Sequence, residues 1–355
     1  MSAILLASTR TSAGKTTIGL GLGLLAQEGG KNVGYFKPLA DRIVARGRLL
    51  YDRDAELFRG ALDLREELDR LSLVHDYATL VQDRRSREEG EDLKERLLER
   101  FAELAQGKEL MLIEGPRNHS YGSFLNLAAG ELAAAFEVPV LLVANGDLGV
   151  VVDKALAAAS YMQAQGAHLR GVVINGVPPA ELEEMERVAK PALEGRGLAV
   201  LGIVPRAEEL ALLTPRMVAE ALSARVLAGE DGLDKRIENT LVGAMTVDQA
   251  LKGLRRYRNV ALITGGDRTD MQLAAFEATV VVCLVLTGGI YPDPMVLSKA
   301  DELEIPVLLV PEDTYTTAQR VEAAEPLIKP EEEGKLELVR ELAREHLPLG
   351  ELLPG

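Results

Sequence analysis

The run Ser8-Thr9-Arg10-Thr11-Ser12-Ala13-Gly14-Lys15-Thr16-Thr17 follows the apolar stretch Ala3-Ile4-Leu5-Leu6-Ala7. A buried strand, a loop of small residues and Gly-Lys-Thr opening a helix together make a phosphate cradle. Loop N–H groups and the helix N-terminus then point at one anion. In this pattern Lys15 reaches the terminal phosphates of a nucleotide and the Thr16 hydroxyl holds Mg²⁺. Thr9, Arg10, Thr11, Ser12, Ala13, Gly14, Lys15, Thr16 and Thr17 become the nucleotide-facing residues. Thr9 stands where the pattern usually has its first glycine. The alternative, a strand–helix turn with an exposed lysine, fits the strand–loop–helix context less well.

Other residues gather chemistry around that loop. Lys37 directly follows the apolar run Val33-Gly34-Tyr35-Phe36. At the carboxyl end of a parallel strand, a second lysine can stabilise charge on a transferring phosphoryl group. Asp54 and Glu114 are candidate carboxylate ligands for Mg²⁺, which favours one or two carboxylates beside phosphate oxygens. Glu114 ends the apolar strand Leu110-Met111-Leu112-Ile113, where a carboxylate without a cation is costly. Asn175, in Ile174-Asn175-Gly176, can donate to and accept from an adenine edge, or simply turn the chain. Pro205 ends another strand with a rigid turn that can flank a base.

These residues need a scaffold of short buried strands alternating with helices, the signature of parallel α/β construction. Strands are expected at 3–7, 32–36, 109–113, 138–143, 170–174 and 199–203. A charged helical region is expected over roughly 53–106, its charges a solvated face. A second set of strands is expected at 240–244, 259–264, 279–286 and 306–310. Helices in that half start near Thr246, Thr269 and Pro294, with Thr246-Val247-Asp248-Gln249 reading as a capping box. The Gly-rich, charged stretch 226–238 reads as a boundary, and 330–355 as a peripheral acidic helix.

Composition narrows the function classes. The chain has 355 residues, 47% apolar and 27% charged, and a formal net charge of −15. That balance argues against a nucleic-acid binder, whose partner's phosphates demand clustered Lys and Arg. No export signal and no run of about 18 apolar residues is present, so a cytoplasmic protein with no membrane partner is expected. The single Cys283 lies in an apolar run and reads as a core thiol. The four histidines show no metal-ligand spacing.

Taken in order, Ser8–Thr17, Tyr35-Phe36-Lys37-Pro38, Asp54-Ala55, Ile113-Glu114-Gly115, Ile174-Asn175-Gly176 and Val204-Pro205 resemble dethiobiotin synthetase. Cobyrinic acid a,c-diamide synthase shares much of the pattern. The resemblance spans residues 1–210. It implies Mg-ATP on the loop, a carboxylate or carbamate attacking the γ-phosphate to give a mixed anhydride, and a homodimer. Carried over, Lys15 and Lys37 bind phosphates as the catalytic pair. Thr16, Asp54 and Glu114 arrange Mg²⁺, and Asn175 contacts adenine. Two departures fall where the acceptor would bind. Asp41 replaces a small hydroxyl residue, and Glu114-Gly115-Pro116-Arg117-Asn118-His119 replaces a glycine-rich segment.

In the second half, Ile263-Thr264-Gly265-Gly266-Asp267-Arg268-Thr269, Leu286-Thr287-Gly288-Gly289 and Glu312-Asp313-Thr314-Tyr315-Thr316-Thr317 resemble a DRTGG domain. The pair of domains is similar to the amino-terminal part of long bacterial phosphotransacetylases, ending where the acetyl-transferring domain would begin. The expected fold is therefore a P-loop NTPase-type parallel sheet with helices on both faces, followed by a smaller α/β DRTGG-like domain. The expected divisions are 1–215, 216–330 and a tail at 331–355. The glycine turns at Gly265–Thr269 and Thr287–Gly289 are either anion nests or tight turns with Asp267 as an N-cap. Arg10 sits where partition-type ATPases carry a lysine that acts across a dimer, or is a solvated loop residue. Three functional readings stay open: an ATP-dependent ligase with an unidentified small-molecule acceptor, a nucleotide-sensing regulator with a regulatory ligand, and a dimerising ATPase switch.

Overall fold

The computed structural model describes residues 1–46, 49–73, 81, 88–324 and 326–352. The chain divides into two compact units: Met1–Ala207 with Ile328–Gly355, and Glu208–Leu327. The second unit is thus an insertion in the first. The observed boundary precedes the predicted stretch 226–238, part of which is a strand, Arg225–Ala228.

The first unit is built on a six-stranded sheet. Its strands are β1 (Ser2–Ser8), β2 (Val33–Phe36), β5 (Leu110–Glu114), β6 (Val140–Ala144), β7 (Leu169–Val177) and β8 (Val200–Pro205). They lie in the order β2-β5-β1-β6-β7-β8, and every pairing is parallel. Near-continuous apolar runs such as Leu110–Ile113 and Val140–Val143 suit strands covered on both faces, and these residues are fully buried. The first strand lies between β5 and β6, so the loop leaving it opens at the centre of the sheet's carboxyl edge.

A hairpin of β3 (Ile43–Arg46) and β4 (Leu49–Asp52) was not predicted. Its strands are four residues long and partly exposed, so no buried apolar run announces them. The region predicted as charged and helical contains helices Arg53–Ala61, Leu68–Leu71 and Glu88–Leu104. Residues 74–80 and 82–87 of that expectation lie outside the described residues.

Helix Lys15–Glu28 carries Gly19, Gly21 and Gly23, each about 1 kcal/mol less favourable than alanine in a helix. Packing explains them. A Cβ at Gly19 would lie 2.4 Å from Leu6 Cδ1, and one at Gly21 would lie 2.7 Å from Ala343 Cβ. One at Gly23 would lie 3.0 Å from Leu62 Cδ1. The neighbour at Gly21 belongs to helix Glu333–His346. That helix, expected as a peripheral tail, buries Val339 and Ala343 and sets Arg344 3.0 Å from Glu28. Its end also closes on β8, where a Cβ at Gly202 would meet the His346 carbonyl oxygen at 2.6 Å.

The second unit has a five-stranded sheet. Strands β10 (Asn239–Val242), β11 (Val260–Gly265), β12 (Val281–Thr287) and β13 (Val307–Leu309) run parallel, side by side in that order. Strand β9 (Arg225–Ala228) closes the row, antiparallel to β13. Alternate residues divide between two cores, Leu262, Leu284 and Val307 on one face and Ile263, Cys283 and Leu308 on the other. Cys283 is fully buried and its thiol is pushed up by that burial, as expected of a packed core residue. Helix Val247–Leu254 starts as predicted, but Thr246 makes no side-chain cap, so the expected capping box is not formed. Among the described residues, no helix is long and apolar enough to cross a membrane.

Candidate nucleotide site

The loop after β1 has the backbone that a phosphate cradle requires. Ser12 and Gly14 both take positive φ, 58° and 93°. Gly14 also has no room for a side chain, because a Cβ would lie 2.0 Å from Asn175 Nδ2. The helix that starts at Lys15 has no side-chain cap and no acidic residue in its first turn. Its positive end is therefore uncompensated, as anion binding needs.

Side chains brace the loop from beneath and from the side. Ser8 Oγ donates to the carbonyls of Arg10 and Arg117, at 2.9 and 3.1 Å. Asn175 Nδ2 donates to the Ala13 carbonyl at 2.9 Å. Asn145 Nδ2 donates to the Asn175 carbonyl at 2.8 Å, and Arg10 donates to Asn145 Oδ1 at 2.5 Å. Arg10 is thus tied to a neighbouring loop of its own chain. Asn145 was missed in the sequence, although Asn145-Gly146 follows β6 just as Asn175-Gly176 turns β7.

Lys15, Thr16 and Glu114 come together under the loop. Thr16 Oγ1 donates to Glu114 Oε1 at 2.9 Å, and the Tyr35 hydroxyl donates to Glu114 Oε2 at 3.0 Å. Glu114 is 1% exposed. Burial first, and then nearby Asp54, push its carboxyl up to about 7. Burial also lowers the Lys15 ammonium below its usual value, with Glu114 opposing. A buried carboxylate held back from ionising beside a threonine hydroxyl fits a divalent cation, which would supply the missing positive charge.

Lys37 meets carboxylates, not open space. Its Nζ lies 2.5 Å from Asp41 Oδ1, 3.2 Å from Asp52 Oδ1 and 2.5 Å from Asp54 Oδ2. Burial opposes its charge, but Asp54, Glu114 and Asp52 outweigh that and hold it well above the usual lysine value. Asp54 is penalised by burial yet held below the usual carboxylate range by Lys37. Asp52 organises the cluster: it N-caps helix Arg53–Ala61 by accepting from the Asp54 N–H. Its other oxygen accepts from the N–H groups of Asp41 and Arg42. Sequence reasoning missed Asp52, whose signal was an acid immediately before a helical pattern.

The second unit's glycine turns differ from the nest expectation. Gly266 N–H donates to the Thr287 carbonyl, Gly288 N–H to Glu312 and Gly289 N–H to Val310, at 3.1, 2.8 and 2.9 Å. Arg268 N–H is taken by the Gly265 carbonyl. These donors are spent inside the fold. Nor does Asp267 cap the following helix, which starts at Thr269 with Arg268 at the N-cap position.

A parallel sheet with a glycine-braced Lys-Thr loop at its centre defines a P-loop ATPase-like domain. Consistent with this, residues 2–212 match the family described as AAA domain, and residues 217–324 match the DRTGG domain. The chain belongs to that AAA domain family, with a DRTGG domain following. It is 27% identical over 353 residues to a phosphate acetyltransferase of Synechocystis sp., covering 94% of this chain and 49% of the relative. A phosphate acetyltransferase of Pseudomonas putida is also 27% identical, over 98% of this chain and 51% of its own length. The ATP-dependent dethiobiotin synthetase BioD of Bacillus subtilis subsp. natto is 24% identical over 66% of this chain and 100% of its own. The chain spans about half the length of the phosphate acetyltransferases it matches.

Proposed function

We propose that the first unit binds Mg-ATP on the Thr9–Thr17 loop and that the DRTGG unit is regulatory. The carrying observation is the group formed by Lys15, Thr16 and Glu114 under an uncapped helix N-terminus. In this reading Lys15 holds the terminal phosphates, while Thr16, Glu114 and Asp54 hold Mg²⁺. The bound ion would neutralise phosphate charge and raise the electrophilicity of the γ-phosphorus. Asn175, near the end of β7, and Pro205, at the end of β8, would face the base. With Asn175 Nδ2 committed to the Ala13 carbonyl, its Oδ1 is the atom for an adenine amino group. The protein would act as a homodimer, as the resemblance implies.

Two uses of the bound nucleotide follow from this site. As a ligase, the protein would transfer the γ-phosphate to a carboxylate or carbamate, with Lys37 beside Lys15. As a regulator linked to acetyl-phosphate metabolism, or as a dimerising ATPase switch, it would report nucleotide state without a second substrate. Saturation of Lys37 by carboxylates favours the regulatory use.

The test is calorimetric titration of the full chain with ATP and Mg²⁺, beside Lys15→Ala. Binding by the native protein and a loss of at least about a thousandfold in the variant are expected, each tenfold being about 1.4 kcal/mol. Equal affinity in the two proteins would overturn the cradle.

A further inference from the structure

An ammonium group has three N–H donors and no fourth. On Lys37 all three have carboxylate partners, from Asp41, Asp52 and Asp54. The side chain is 1% exposed, so water does not share the charge. Asp52 caps a helix and gathers the Asp41 and Arg42 N–H groups. Asp54 retains Oδ1, 3.4 Å from Arg42, which can face a cation while Oδ2 stays on Lys37.

Asp41 has no comparable structural duty. Its carboxylate reaches Lys37 and, at 3.8 Å, the half-exposed Arg117. The Arg117 guanidinium also donates to the Asp41 carbonyl at 3.0 Å, holding the segment after β5 against it. Substituting Asp41 therefore frees one Lys37 donor without removing a helix cap or a candidate metal ligand.

We propose that Asp41 is a specificity-determining residue that bars an anionic second substrate from the phosphate site. A carboxylate, carbamate or phosphate approaching the end of β2 meets a lysine whose donors are all taken by carboxylates. A neutral or cationic group meets no such barrier. The inference rests on the Mg-nucleotide reading and narrows it. If a second substrate exists, it is not an anion held by Lys37.

The test saturates the full chain with Mg-ADP and titrates inorganic phosphate by calorimetry into native, Asp41→Ser and Asp41→Glu proteins. Phosphate affinity is expected to rise at least tenfold in Asp41→Ser and to stay within twofold of native in Asp41→Glu. Unchanged affinity in Asp41→Ser, or an equal gain in Asp41→Glu, overturns the proposal while the nucleotide reading stands. Failure of the native protein to bind Mg-ADP removes the nucleotide reading, and this inference with it.

Discussion

Both units gather loops at the carboxyl ends of parallel strands, and the polar groups buried there differ. The first buries ionisable Lys15, Lys37, Asp52, Asp54 and Glu114 there, beside neutral Ser8 and Thr9. The second buries Thr264, Thr287, Thr317 and Gln272, all neutral. Those neutral groups bond to the loops themselves. Thr264 Oγ1 donates to the Gly243 carbonyl, and Thr287 Oγ1 bonds both the Thr264 carbonyl and Thr314 Oγ1. Gln272 Nε2 donates to the Gly265 and Gly266 carbonyls. The charged edge holds groups displaced from their ordinary titration, while the neutral edge bonds mostly within itself and leaves Gln272 Oε1 buried without a partner. In the proposed reading, the first edge would bind its ligand through displaced ionisable groups beside an uncapped helix N-terminus.

The contrast can be broken at either edge. The largest effect on stability is expected from Asp52→Ala, which removes a helix cap and leaves buried Lys37 short of a partner. A loss of about 4 kcal/mol is expected in urea unfolding. A loss below about 1 kcal/mol, the scale of exposed ion pairs, would show that the charged edge is solvated and unlike a core.

Glu114 makes the next prediction. Its folded pKa of about 7 is above its ordinary 4.5, so ionising it costs the folded state. That cost is absent below about pH 4.5 and complete above about pH 7. Through this window Glu114 removes on the order of 3 kcal/mol from the stability of the nucleotide-free protein as pH rises. Glu114→Gln should flatten that part of the profile, read by urea unfolding at about pH 5 and about pH 8. An unchanged slope would place the strain elsewhere.

Thr287→Val makes the smallest change. It leaves the Thr264 carbonyl and the Thr314 hydroxyl without their partner and should cost 1–2 kcal/mol, roughly one or two buried hydrogen bonds. Hydrogen exchange should show the loss within Glu208–Leu327, with Mg-ATP affinity unchanged. A stable variant with undiminished protection would show that the hydroxyl network does not hold this edge together.

Much of this was legible in the chain. Ala3–Ala7 and Leu110–Ile113 announced their strands through uninterrupted apolar runs. Gly14-Lys15-Thr16 announced the loop through residue types tied to one backbone shape. Lys37 and Asp54 pair with each other in the structure, and that pairing was not readable. A lysine after a strand looks the same whether it faces phosphate or three acids. The deciding contacts come from Asp41 and Asp52 at the base of the β3–β4 hairpin, which no periodicity marks. The glycine turns of the second unit left two readings open for a related reason. Their N–H groups find acceptors on neighbouring strands, and sequence spacing says nothing about which carbonyl lies opposite.

The glycines of helix Lys15–Glu28 have a consequence for how the protein is made. Gly21 leaves room for Ala343 and Gly202 for the His346 carbonyl, so the segment from Ile328 onward completes the packing of the first unit. During synthesis from the amino terminus, the continuous segment Glu208–Leu327 emerges before that partner does. It is expected to reach its folded state while the helix behind the lysine loop is still uncovered. Helix Lys15–Glu28 would then be covered only after a segment that follows it in the chain has folded.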